Sequence, residues 1–312
     1  MSQAIPADLD ARFAKPRLLF FGVGAQKSAT SWLDKHLRTH PEVCMPVRKE
    51  QHYWTTRRPG AADERLAWVA QQLDKISKRG LWGKLTRSRR GRDRDEAWGR
   101  TKVMLGPTAP GHSAYADVLF QRYAGEPVVG EVTPEYALLS AEQLREMTTL
   151  NEDVRFILIM RDPLGRLKSG LKQNLRKTKG AAAVTSEGLA RHMETAVADP
   201  RSPGMLRSRY ELTIQALEQA TSQDKLFFLF YETMFQQSEM DRLADFLGIA
   251  RRPAPVTQKV HESSYGKVEF SPEAEARALA ALAPTYDFVR ARFGDAVPGK
   301  WHRPTVPVGE AV

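Results

Sequence analysis

One cysteine, Cys44, is all the thiol chemistry this 312-residue sequence holds. That excludes a disulfide framework within the chain and any cysteine-based metal cluster. Long hydrophobic runs are missing too. No stretch approaches the roughly 20 apolar residues that a membrane-spanning helix requires, and residues 1–17 lack the apolar core of a secretory signal. The seven histidines form no metal-ligand grouping. No internal repeat or heptad pattern is present, nor the Gly-x-Ser-x-Gly elbow of many serine hydrolases. These gaps leave a soluble, cytoplasmic protein as the expectation. A hydrophobic share of 42% is enough for a real core, and the length suits one large α/β domain or two small ones.

Negative charge is in deficit: 47 Lys and Arg against 37 Asp and Glu leave a net charge of +10. An excess of this size favours an anionic partner without naming one. Much of it is local, since between Lys75 and Lys102 eleven basic residues stand against three acidic ones. Such a run suits nucleic acid, a membrane surface or an acidic substrate, and equally a solvated loop. Residues 79–112, basic and punctuated by Gly and Pro, read as a long excursion from the core, a common form for a substrate lid.

What is present in strength is a phosphate-holding loop. The apolar run from Leu18 to Val23 reads as a short buried strand. Small residues follow, then Leu33 and Leu37 at helical spacing, with His40-Pro41 as a stop. Strand, Gly-rich turn and helix together aim backbone N–H groups and a positive helix end at an anion. Lys27 adds a charge, and Ser28, Thr30 and Ser31 add hydroxyls. Gly22 and Lys27-Ser28 fit the Gly-x-x-x-x-Gly-Lys-Ser/Thr pattern of ATP-binding loops, but Gln26 stands where its second glycine belongs.

A second strong element spans Val154 to Gln173. Phe156 to Met160 is unbroken apolar sequence, as in a parallel strand covered on both faces. Arg161 follows at its carboxyl end, where open α/β sheets bind ligands. Pro163 suits the first turn of the next helix, and Ser169 comes eight residues after Arg161. A metal-dependent ATP enzyme would place an Asp at such a strand end to help hold magnesium; here Arg comes first and Asp162 second. Elsewhere, helical stripes run over 64–78, 114–123, 205–220 and 240–247, and strands over 127–132 and 225–232. Ser271-Pro272-Glu273 opens a helix with cap, proline and acid in the favoured order. The tail from Pro298 reads as irregular. Alternating helices and strands predict a parallel sheet with helices on both faces.

The run Gln26-Lys-Ser-Ala-Thr-Ser-Trp32-Leu33 resembles the 5′-phosphosulfate loop of sulfotransferases that use 3′-phosphoadenosine 5′-phosphosulfate (PAPS). Arg161-Asp-Pro with Ser169 is similar to the 3′-phosphate motif of the same family. The segment from His40-Pro41 to Lys49-Glu-Gln-His-Tyr-Trp54 resembles the His-Pro and Lys-Glu-x-His runs of Golgi heparan-sulfate-type enzymes and their bacterial relatives. Weaker likenesses lie at Gly130-Glu-Val-Thr-Pro-Glu-Tyr136, at the Tyr231-Glu232 strand end, and at 260–267, where relatives place a loop over the nucleotide. The resemblance implies a P-loop-like three-layer sandwich with a central parallel sheet, forming a single domain over 1–312. It implies PAPS as donor and no metal. Gln26, Lys27, Ser28, Ala29, Thr30, Ser31 and Trp32 would hold the 5′ side, Arg161 and Ser169 the 3′-phosphate, and Tyr265, Gly266 and Lys267 the closing loop. By the same resemblance Glu50, assisted by His52, would take the acceptor proton while Lys27 neutralises the leaving phosphate. The acceptor, an acidic glycan, lipid or small molecule, and the oligomeric state are not legible. A kinase with a degenerate loop and a non-catalytic polyanion or nucleic-acid binder are the rival readings; the first is opposed by Gln26 and Arg161, the second leaves both phosphate motifs unexplained.

Overall fold

The computed structural model describes residues 6–57, 60–78, 88–107, 109–253 and 268–302. Among them five strands, β1 (Leu18–Gly24), β2 (Val43–Cys44), β3 (Val128–Val132), β4 (Val154–Met160) and β5 (Leu226–Phe230), pair in parallel in the order β2-β3-β1-β4-β5. Every residue of β1 is buried, which is why its sequence shows no polar alternation. Successive strand side chains point to opposite faces, and both faces are covered. Leu19, Phe21, Phe156 and Leu158 join one core cluster. Leu18, Phe20, Ile157 and Ile159 join another.

The helices labelled below are α1 (Thr30–Arg38), α2 (Ala61–Ser77), α3 (Arg89–Met104), α4 (Ser113–Leu119), α5 (Ala141–Thr148), α6 (Pro163–Lys179), α7 (Ser186–Ala198), α8 (Tyr210–Ala220), α9 (Gln237–Leu247) and α10 (Pro272–Phe293). α1 lays Trp32, Leu33 and Leu37 against the same face that Met240, Leu243 and Leu247 of α9 cover. Full burial of each such leucine contributes roughly 1.5–3 kcal/mol. The expected three-layer α/β sandwich is the observed one.

The structure adds to three sequence readings. In the basic excursion, 89–104 is helical, N-capped by Ser88, whose hydroxyl accepts from Gly91. Its charges lie around a buried stripe of Ala97, Thr101 and Met104, at the spacing of one helix face; charge density masked that stripe. The apolar stripe over 205–220 is interrupted, because a single turn at Pro203–Leu206 ends before α8 begins. The break serves the site, as described below. Finally, the tail beyond Pro298 carries Trp301, which is buried among Tyr210, Phe230 and Tyr286.

Chain direction positions the site. From β1 the chain passes to β2 on one side and, after β3, crosses to β4 on the other. Such a reversal opens a crevice at the carboxyl ends of the strands. No described helix is long and apolar enough to cross a membrane.

Candidate active site

β1 ends in a loop whose backbone is bent away from ordinary conformations. Lys27 and Ala29 have φ of 76° and 59°, left-handed values that cost a side-chain-bearing residue on the order of 1–3 kcal/mol. Alternation of this kind turns successive N–H groups into one concavity that suits an anion. Ala29 is also the N-cap of α1 and has no side chain with which to cap it. The amides of Ala29, Thr30 and Ser31 find no acceptor among the described residues. Ser28 is wholly buried beneath them, its hydroxyl without a hydrogen bond of good geometry. Trp32 is turned away: its amide donates to Ala29 at 2.8 Å, and its ring lies in the core on Phe235. It supports the loop from below.

Three cations converge here without a carboxylate partner among the described residues. Arg166, on α6, is 1% exposed. Its Nε donates to the Gln26 carbonyl at 3.0 Å, and its Nη1 donates to the Gly204 carbonyl and the Ser208 hydroxyl at 2.8 and 3.0 Å. The break before α8 is what presents Gly204 and Ser208 to it. Burial among neutral partners brings Arg166 down to about 10. Arg161, at the end of β4, donates to the Lys27 carbonyl at 3.2 Å and stacks 4.8 Å over the Tyr231 ring. The Lys27 ammonium is lowered by burial, and then by the nearby charges of Arg161, Lys177 and Arg166. Asp162, which a kinase would turn toward a metal, instead caps α6 through the Gly165 amide at 2.9 Å and accepts from Tyr286. Ser169 is half-buried on α6 and makes no hydrogen bond to Arg161 or the loop. Tyr265, Gly266 and Lys267 lie outside the described residues.

Across from the loop stands the segment after β2. Glu50 and His52 have φ of 62° and 60°, so four of the five described non-glycine residues with left-handed φ belong to this site. Between Glu50 and His52 lies Gln51, wholly buried. Its amide donates to Thr133 at 2.9 Å and to Glu131 at 3.3 Å. Glu131 is a buried carboxylate with no cation partner among the described residues. It accepts from Tyr115 at 2.5 Å, Thr133 at 2.6 Å and Tyr136 at 2.8 Å. Burial pushes this carboxyl up, against the pull of those hydrogen bonds. The Gly-Glu-x-Thr-Pro-x-Tyr run is thus the anchor of the Glu50 segment.

Lys49 ties the two halves together. Its Nζ reaches Glu50 at 2.9 Å, Thr30 Oγ1 at 3.2 Å and Ser31 Oγ at 3.3 Å. Burial raises the Glu50 carboxyl, but the His52 imidazole and the Lys49 ammonium outweigh it and bring it down to about 2. His52 Nε2 stands 3.8 Å from Glu50, beyond hydrogen-bond reach. A cavity of about 370 Å³ opens beside His52, lined also by Thr55, Arg65, Trp68, Glu135 and Leu138. The loop, Arg161, Glu50 and His52 are therefore brought to one crevice. Arg166 and Lys49 went unmarked. Lys49 is legible only as half of an ordinary Lys-Glu pair, and Arg166 as one of several basic residues on a helix.

An anion cradle facing a carboxylate, with no acid among the described residues paired to the cradle's cations, suits group transfer. The sulfotransferase domain family matches residues 20–279, and the chain belongs to that family. It is a sulfotransferase, and the two rival readings, kinase and polyanion binder, have no support. A solved sulfotransferase from Alicyclobacillus acidocaldarius shares the fold at a TM-score of 0.56 with 19% identity, covering 93% of this chain and 100% of the other. The sulfotransferase domain of the Synechococcus PCC 7002 olefin synthase aligns at 0.49 and 16% identity, over 87% and 85% of the two chains. That of the curacin biosynthetic pathway aligns at 0.46 and 13%, over 83% and 80%. Among curated protein sequences none matches significantly.

Proposed function

We propose that this single-domain enzyme moves the sulfuryl group of PAPS to a hydroxyl or amine of an acceptor docked beside His52, in the cytoplasm and without a metal. The observation that carries the reading is the facing of the Lys27–Ser31 concavity and Glu50 through the shared Lys49 ammonium. The acceptor proton passes to Glu50, the acceptor oxygen forms a bond to sulfur, and the bond from sulfur to the 5′-phosphate oxygen breaks. The electron pair leaves on that oxygen, giving the bisphosphate and the sulfate ester. Lys27 and the amides of Ala29 to Ser31 stabilise charge where it grows. Arg161, with Ser169 and the 265–267 segment, fixes the 3′-phosphate end.

A carboxylate at about 2 is ionised but weakly basic, and a general base works best nearer the operating pH. A donor sulfonate between Lys49 and the loop competes with Glu50 for the Lys49 ammonium. Drawing Lys49 toward the donor frees Glu50 and raises its basicity at the moment it is needed. His52 orients the acceptor.

The test is thermal stabilisation by the adenosine bisphosphate product against AMP at equal concentration. The bisphosphate should stabilise far more, and Arg161→Ala should remove most of the difference, a charge-assisted contact being worth about 1.5–3 kcal/mol. Equal shifts by the two nucleotides overturn the donor assignment.

A further inference from the structure

The cavity beside His52 has a wall that sulfuryl transfer alone does not require. Arg65, on α2, lies 4.3 Å over the Trp68 ring. Trp68 meets Trp98 of α3 edge to face at 5.1 Å, and Arg48 lies 3.2 Å over Trp98. Two guanidinium groups and two indoles thus form one continuous ladder joining the Glu50 segment to the helical hairpin.

The charges of this region do not balance within the protein. Lys49 pairs with Glu50 at 2.9 Å, Arg57 with Glu146 at 2.8 Å and Arg207 with Glu135 at 2.7 Å. Arg48 and Arg65 have no carboxylate partner among the described residues; Arg48 donates to the Thr101 hydroxyl at 2.7 Å, and Arg65 Nε is buried without an acceptor. Glu64 lines the same cavity, but adjacent residues on a helix do not face each other. Glu50 and Glu135 are near enough to favour the charge on Arg65, yet each is engaged elsewhere. Removing a guanidinium from water without a partner is costly, and a ligand that brings the missing charge recovers that cost. A guanidinium over an aromatic face can still offer N–H donors at its edge for a two-pronged contact, and Arg48 already spends one on Thr101.

We propose that the acceptor carries an oxyanion on the same small molecule as its nucleophilic group, and that this cavity binds that anion on Arg65, with Arg48 reinforcing the charge and Trp68 offering a flat apolar wall. This rests on the sulfotransferase reading and narrows it. The basic residues at the start of α3, Arg89 and Arg92, are not required. A cavity of about 370 Å³ holds a compact molecule or one end of a larger one.

The experiment is calorimetric titration of the full-length protein, with and without saturating adenosine bisphosphate. Three probes of one shape are used: para-hydroxyphenylacetate, para-hydroxybenzenesulfonate and the neutral para-hydroxyphenylacetamide. At least one anion should bind about tenfold or more tightly than the amide, the ratio expected for one charge-assisted contact; which anion leads distinguishes carboxylate from sulfonate recognition. Arg65→Gln should abolish the preference and leave bisphosphate affinity unchanged, and Arg48→Gln should reduce it less. The Arg48 variant carries the test if Arg65→Gln does not fold. Equal binding of all three probes, binding of none, or a preference that survives both substitutions overturns the proposal. So does a loss of bisphosphate affinity in Arg65→Gln, which would move Arg65 to the donor. Failure of the bisphosphate to bind the unaltered protein would strike the sulfotransferase reading instead, and the anion preference measured without it would stand.

Discussion

The two sides of the crevice handle positive charge in opposite ways. On the proposed donor side Arg161 and Arg166 are held by carbonyls and a hydroxyl, and the loop beside them is fixed by backbone conformation. On the acceptor side the charges are held by aromatic faces and by acids borrowed from distant elements, as with Arg65 on Trp68 and Arg207 on Glu135. Under the proposed reading the donor is always PAPS, and such a donor permits a site preset by neutral dipoles, which demand no rearrangement when it arrives. The proposed acceptor is met instead by side chains on α2 and on the segment after β2.

If that division is real, substitutions should separate into two classes. The largest expected effect is on the acceptor side: Glu50→Gln should keep bisphosphate affinity while lowering turnover on the order of 10²–10⁴-fold. His52→Ala should cost less; a dead His52→Ala beside an active Glu50→Gln in a turnover assay would exchange their roles. Next comes Lys27→Ala, expected to reduce turnover on the order of 10²–10³-fold, as for loss of one electrostatic donor at the leaving group. Single-turnover measurement at saturating donor checks that the loss is in chemistry and not in binding.

Arg166→Gln should be felt as stability. Losing charged hydrogen bonds to the Gln26 loop and the Gly204 turn should lower unfolding free energy by about 1.5–3 kcal/mol and weaken bisphosphate binding, both read by thermal melting with and without nucleotide. A melting point unchanged from the unaltered protein would mean the loop holds itself.

The smallest effect is the most diagnostic of Lys49. With Glu50 at about 2 in the free enzyme, kcat/KM should show no acid limb from this carboxyl above about pH 4. Removing the ammonium by Lys49→Met should let the carboxyl rise, and an acid limb should enter the profile from below. The sign for stability agrees: a depressed carboxyl stabilises the fold above its usual 4.5, and that contribution is lost as pH falls toward 2. An identical profile for Lys49→Met would sever the link between the two halves of the site.

How much of this was legible depended on whether neighbours in space were neighbours in sequence. The loop from Gln26 to Ser31 and the strand end at Arg161 were readable because each is one continuous segment, with buried strand, turn and helix in order. Glu50 was readable only through its resemblance. Its true support, Gln51 resting on Glu131 and Thr133, joins residues about eighty positions apart. Arg166 was invisible for a related reason: a helical arginine looks solvated until the partners at Gly204 and Ser208 are known. The α3 stripe was hidden by its own charges. Tertiary partners, not local propensity, decided each of these.

The strand order has a stereochemical consequence. Glu50 hangs from the β2–β3 side of β1, while Arg161 and Arg166 belong to β4 and the helix that follows it. In the proposed reaction the nucleophile, on the Glu50 side, and the leaving oxygen, on the Lys27–Ser31 loop, address the sulfur from opposite directions. Transfer along such a line turns the three remaining oxygens through like an umbrella, so an isotopically chiral sulfuryl group should emerge with its configuration inverted. Handedness at a single atom would then be a record of how the loop of β1 and the segment after β2 face each other.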